Sequence, residues 1–143
     1  MDDKVTAIIL ARGGSKGIPN KNILDFLGKP LVAWSVIQAK LTSEINDIYI
    51  SSDSDTILNI GEKYGAIKIK RPDEISGDTA KSEEAILHAL DVIGKNHKCI
   101  IMLEPTAPLR KPTDLSEGIK LFIDNKWDSA FSSAELQDFL IWK

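Results

Sequence analysis

The sequence predicts an α/β fold of Rossmann-like type, a mostly parallel sheet with helices on both faces in three layers. Three observations predict it. Hydrophobic periodicity alternates between strand and helix along the chain. Several strand runs are continuously apolar, as in strands covered on both faces. A length of 143 residues, 43% hydrophobic and 27% charged, suits one domain with a real core.

Val5–Ala11 is the first buried run, followed by a polar, glycine-rich loop over Arg12–Asn22. Pro30 then opens a helix to about Thr42, Pro being tolerated in a first turn, with Leu31, Trp34, Ile37 and Leu41 as its apolar stripe. Asp47–Ser52 is the second strand. A helix over Asp55–Tyr64 is expected to bury Ile57, Ile60 and Tyr64 and to stop at Gly65. Ala66–Lys70 is a third strand nearer an edge, because Lys68 and Lys70 alternate with Ile67 and Ile69. A long loop, Arg71–Lys81, leads to a helix from Ser82 to about Asn96, striped by Ile86, Ala89, Leu90 and Ile93. Lys98–Leu103 is the fourth strand, and the loop Glu104–Lys111 is stiffened by Pro105 and Pro108. A helix from Thr113 to Asn125 buries Leu115, Ile119 and Phe122, and Asp128–Ser133 reads as a fifth strand.

Parallel strands joined through helices place ligands beyond the carboxyl ends of the strands, where strand order switches. The loops starting at Arg12 and Glu104 each follow such a carboxyl end. Both are expected on one rim, facing one crevice.

Charge narrows the ligand. A net charge of −3 argues against general nucleic-acid affinity. Yet between Asp3 and Asp25 there is no acid, while Lys4, Arg12, Lys16 and Lys21 all fall there. An anionic ligand is the natural reading. No apolar run approaches the roughly 18 residues of a membrane span, and Met1–Lys4 carries no basic leader, so cytoplasm is the expected location. Cys99 is the one cysteine and sits in an apolar run, as a buried core residue would.

The segment Arg12-Gly13-Gly14-Ser15-Lys16-Gly17 is the strongest local signal. Its glycines permit positive φ and close approach of backbone to a ligand. Its N–H groups can form an anion-binding nest, to which Arg12, Lys16 and Lys21 add full charges. That density suits a nucleoside triphosphate, with about four negative charges. The spacing matches neither a Walker loop nor the Rossmann G-x-G-x-x-G. Arg71 could close the crevice from the side, although composition alone favours a solvated position. Ser82, followed by Glu83 and Glu84, reads first as a helix N-cap, which leaves its hydroxyl beside outward-pointing donors. Asp53-Ser54-Asp55 fits a capped strand-to-helix turn better than a metal site, and His88 and His97 have no partners at ligand spacing.

The stretch Ile8 to Asn22, reading IILARGGSKGIPNKN, closely resembles the signature of the N-acylneuraminate cytidylyltransferases. The resemblance continues through Arg71-Pro72, Ser76-Gly77-Asp78-Thr79-Ala80, Ser82 and Leu103-Glu104-Pro105-Thr106-Ala107-Pro108-Leu109-Arg110, and spans Thr6 to about Ser133. Cytidylyltransferases for the eight-carbon acid Kdo carry a different loop. The resemblance implies a nucleotide-diphospho-sugar transferase type of fold and a reaction in which the anomeric hydroxyl of a nonulosonic acid attacks the α-phosphate of CTP, releasing pyrophosphate. It implies catalytic roles for Arg12 and Lys21, and a nucleotide site of Leu10, Ala11, Arg12, Gly13, Ser15, Lys16, Lys21, Asn22, Arg71 and Ser82. Position 104 would face the sugar, and Mg²⁺ is expected on the phosphates.

Two departures matter. The family usually has glutamine where Glu104 stands; a glutamate accepts hydrogen bonds but does not donate them. An altered sugar, of legionaminic or pseudaminic type, is the expectation. Family members also continue well beyond Lys143, with metal-binding aspartates and a segment that reaches a dimer partner's sugar site. Residues 1–135 are accordingly expected to form the CTP-binding domain, and 136–143 to begin a C-terminal, homodimer-forming segment. Two other readings stand beside the enzyme: a non-catalytic nucleotide-binding domain, and a nucleotidyltransferase of the same fold for another base or sugar.

Overall fold

Six consecutive residues, Val5–Leu10, form strand β1, and all but the last are buried, as a doubly covered central strand requires. The computed structural model describes residues 4–15, 17–77, 81–94 and 96–133. After β1 come a two-stranded hairpin of β2 (Asp25–Phe26) and β3 (Lys29–Pro30), helix α1 (Leu31–Lys40), β4 (Asp47–Ser52), α2 (Asp55–Tyr64), β5 (Ile67–Lys70), α3 (Ser82–Ile93), β6 (Cys99–Leu103) and α4 (Pro112–Asp124). Single turns of 3₁₀ helix lie at Lys21–Ile23 and Asp73–Ile75.

The main sheet runs β5-β4-β1-β6 with every pair parallel. At its centre Ile8 stands between Tyr49 of β4 and Met102 of β6. β5 is the edge strand that its alternating lysines predict. From β1 the chain steps outward to β4 and β5, then crosses back to place β6 on the other side of β1. The order therefore reverses between β1 and β6, and a crevice opens there beyond the strand ends.

Alternating side chains of β1 feed two cores. On one face Ala7 and Ile9 pack with Val32, Val36 and Ala39 of α1, Ile57 and Leu58 of α2, and Leu115 of α4. On the other, Ile8 packs with Ile69 and with Ala89 of α3. The three layers of the expected fold are present. Cys99 is buried, in a smaller cluster with Val5 and Ile119, and burial raises its thiol pKa. No helix among the described residues is long and apolar enough to cross a membrane.

Four expectations need correction. Helix α1 buries Val32, Ala33, Ser35, Val36, Gln38 and Ala39, while Leu41 is 67% exposed and Leu31, Trp34 and Ile37 are only half-buried. Its apolar residues lie almost all round, so spacing alone does not choose a face. Residues 128–133 form no strand: they are exposed, Phe131 at 91%, and pair with no neighbour among the described residues. The segment reads DSAFSS, with one aromatic and no β-branched residue, so its side chains do little to favour a strand. In α2, Ile57 is buried but Ile60 and Tyr64 remain half-buried, and in α4 Leu115 and Ile119 are buried but Phe122 is only half-buried. The segment 136–143 lies outside the described residues.

Candidate functional site

A cleft of about 620 Å³ opens where the strand order reverses. That size lies within the usual range for small-molecule sites. Its walls come from the loop after β1, the loop after β5, the first turns of α3 and the loop after β6. The loops beginning at Arg12 and Glu104 thus share one rim.

Of the residues singled out in the sequence, Leu10, Arg12, Ser15, Lys21, Asn22, Arg71, Ser82 and Glu104 line this cleft. Ala11 is buried beneath it and donates its N–H to the Ser51 carbonyl at 3.0 Å. Gly13 supports the loop from behind. Lys16 lies outside the described residues, as do 78–80.

The loop after β1 is held by side chains rather than by regular structure. Asp53 accepts the Gly13 N–H at 2.8 Å, and Asn22, itself buried, donates its amide to the Arg12 carbonyl at 2.9 Å. Ser15 N–H donates back to the Gly13 carbonyl at 3.1 Å. The Gly13 and Ser15 amides are therefore engaged within the protein, and the side chains of Arg12 and Lys21 bring positive charge to the cleft. Nor do Gly13 and Gly14 take positive φ; the left-handed residue is Asn20, at φ 55°. What Gly13 supplies is close approach: a Cβ there would lie 3.1 Å from the Ser54 Cβ. Asp53-Ser54-Asp55 is a capped turn, with Ser54 accepting from the Ile57 N–H. Its first carboxylate also pins the cationic loop, a role the sequence did not suggest.

Arg71 is not a solvated surface residue. It is 5% exposed, with Nε donating to Ser51 Oγ at 3.1 Å and Nη2 to the Ser51 carbonyl at 2.9 Å. Burial lowers its pKa, Asp53 opposes that shift, and the nearby Arg12 adds to it. Two guanidinium groups at one cleft repel, and an anion between them relieves the repulsion. Arg12 also reaches the Gly77 carbonyl at 3.4 Å. Ser82 is the first residue of α3 rather than its cap, exposed toward the cleft, and Glu84 covers the Lys81 N–H instead. Lys81 lines the cleft as well and adds a cation that motif reading missed, although it directly precedes Ser82.

Among the described residues Glu104 is the one carboxylate lining the cleft. No group of three or more His, Cys, Asp or Glu side chains among the described residues could hold a metal ion. His97 instead shares a 2.7 Å hydrogen bond with the buried Thr6.

The family described as Cytidylyltransferase matches residues 6–138. The N-acylneuraminate cytidylyltransferase of Escherichia coli O18:K1:H7 (strain RS218) is 42% identical over 123 residues, 85% of this chain and 29% of that protein. The pseudaminic acid cytidylyltransferase of Campylobacter jejuni (strain 81-176) is 37% identical over 138 residues, 94% of this chain and 60% of that protein. The chain thus spans less than two thirds of either relative. Among solved structures, CMP:2-keto-3-deoxy-manno-octonic acid synthetase complexed with CTP superposes with a TM-score of 0.74 over 86% of this chain and 48% of that one; at 20% identity it speaks for the fold. Since the family match takes in nearly the whole chain, from β1 past the end of α4, the chain belongs to the cytidylyltransferase family.

Proposed function

We propose that this chain supplies the nucleotide-binding part of an enzyme that transfers CMP from CTP to the anomeric hydroxyl of a nonulosonic acid. The observation that carries the reading is the gathering of Arg12, Lys21, Arg71 and Lys81 around one cleft that a single carboxylate among the described residues lines. A triphosphate would meet Arg12, Lys21 and Lys81 there, with the buried Arg71 on the cytidine side. Phosphoryl transfer needs little covalent help from a protein; positioning and charge neutralisation carry it. In this reading the sugar hydroxyl oxygen forms a bond to the α-phosphorus as the bond to the bridging oxygen breaks. Pyrophosphate leaves with that electron pair, and the hydroxyl loses its proton. Arg12 and Lys21 neutralise the charge building on the phosphates. Ser15 and Lys16 complete the phosphate cradle, with Gly13 and Asn22 keeping its backbone in shape. Leu10, Ala11, Arg71 and Ser82 border the cytidine.

Glu104 stands on the sugar side. Its carboxylate suits a ligand that presents hydroxyl or N–H donors there, which supports a pseudaminic- or legionaminic-type acid. Mg²⁺ belongs with the substrate. The described residues build no cage for it, and the resemblance puts the aspartates that bind it beyond Lys143, so no residue of this chain is assigned to it. The whole protein is proposed to act as a homodimer in the cytoplasm.

The test has two parts. Thermal stabilisation by CTP, UTP, GTP and ATP is predicted to be largest with CTP, and equal shifts would remove the cytidine assignment. Pyrophosphate release from CTP is predicted to require a nonulosonic acid, with Glu104→Gln changing which acid is preferred. Binding without release from the whole protein would favour a non-catalytic nucleotide-binding domain.

A further inference from the structure

Two buried polar side chains on α1 play no part in the cleft chemistry. Ser35 is fully buried and Gln38 is 5% exposed, and groups so placed need partners inside the protein. Both find them in the loop after β6. Gln38 Nε2 donates to the Pro108 carbonyl at 2.6 Å. Arg110 Nε donates to Gln38 Oε1 at 2.8 Å, and its Nη2 donates to Ser35 Oγ at 2.7 Å and to the Glu104 carbonyl at 2.6 Å. Prolines at 105 and 108 deprive this loop of two backbone donors, and it belongs to neither sheet nor helix. Its geometry therefore depends on side chains. Arg110 is partly desolvated, which lowers its pKa, while the charge of Glu104 opposes the shift.

We propose that Arg110 is the positioning residue for the sugar side of the cleft: anchored on Ser35 and Gln38, it grips the Glu104 carbonyl and fixes the backbone from which the Glu104 side chain enters. A guanidinium can make these three bonds at once because its donors form a rigid fork; an ammonium on a flexible stem cannot hold the same geometry. The specificity of position 104 would then depend on a residue that never touches substrate. The proposal rests on the reading that Glu104 faces the sugar acid.

The experiment compares wild type, Arg110→Lys, Arg110→Ala and Gln38→Met in the whole protein. It reads melting temperature, CTP affinity, and kcat and KM for CTP and for the nonulosonic acid. The expected result is a split. Arg110→Ala raises KM for the acid, or lowers kcat at saturating CTP, by about tenfold, the loss from misplacing a positioned group. Its CTP affinity stays within about twofold of wild type, since the phosphate cations sit on another loop. Arg110→Lys and Gln38→Met give smaller effects of the same kind and guard against a variant that fails to fold. Unchanged constants for the acid in all three variants would overturn the proposal. So would CTP and acid constants that weaken in step with melting temperature, the mark of a purely structural role. A wild type that turns over no nonulosonic acid would remove the underlying reading and this proposal together, and that outcome appears before any variant is made.

Discussion

Asp53 shows how one side chain can serve both shape and charge. Its carboxylate accepts the Gly13 N–H and stands near the buried Arg71, so it braces the cationic loop and offsets a desolvated guanidinium. The two effects are separable. Asp53→Ala leaves a backbone N–H without its acceptor and is predicted to weaken CTP binding about tenfold, in line with the worth of a hydrogen bond to a charged group. Asp53→Asn keeps an oxygen in place but removes a negative charge near the triphosphate, and its CTP affinity is predicted to stay within about threefold of wild type. Calorimetric titration with CTP checks both, and equal losses would show that charge rather than the hydrogen bond matters. Legibility at this scale depended on distance along the chain. Arg12, Ser15 and Lys21 could be picked out because they crowd one short segment with no acid in it. Arg71 was picked out through the resemblance but not its burial, and the bracing role of Asp53 not at all, because their partners lie 20 and 40 residues away and meet them only once β1, β4 and β5 are in register.

At the scale of elements, α2 can lie close to the sheet only because residue 61 has no side chain. A Cβ on Gly61 would come within 2.6 Å of Cγ2 and 3.2 Å of Cβ of Ile50, which is fully buried in the centre of β4. Gly61→Ala is therefore predicted to destabilise the protein by about 1–3 kcal/mol, the usual cost of overpacking, despite alanine's better helix propensity. Chemical denaturation of the two proteins measures it; a more stable variant would mean that α2 can shift freely. The elements themselves were largely legible. β4 and α2 fall where periodicity and the Ser54 and Gly65 stop signals put them. The errors have distinct causes. Helix α1 is apolar nearly all round and its buried face includes Ser35 and Gln38, so a hydrophobic stripe pointed to the wrong side. The β2–β3 hairpin has strands of only two residues, and its turn places Leu27 as well as Gly28 at positive φ, which no Asn-Gly signal announced. The segment 128–133 has one aromatic and no β-branched residue, and no strand among the described residues pairs with it.

Across the whole molecule, the site follows from topology before any residue is considered. Placing β6 on the far side of β1 makes two loops diverge at the switch point, and the cleft is the space between them. The sequence disclosed both loops and the sign of their charge. It did not disclose that Arg110, itself part of a motif, ties one of them to α1, since three bonds to two helix residues and a carbonyl require the folded arrangement. The loop after β1 engages its Gly13 and Ser15 amides inside the protein while Arg12 and Lys21 line the cleft, and we attribute most of the affinity for a triphosphate to those side-chain cations. Calorimetric titration of CTP into wild type, Arg12→Ala and Lys21→Ala tests that claim most directly. Each substitution is predicted to weaken binding at least about tenfold, as expected for a charge-assisted phosphate contact, with little change in melting temperature. CTP affinities indistinguishable from wild type in both variants would contradict it.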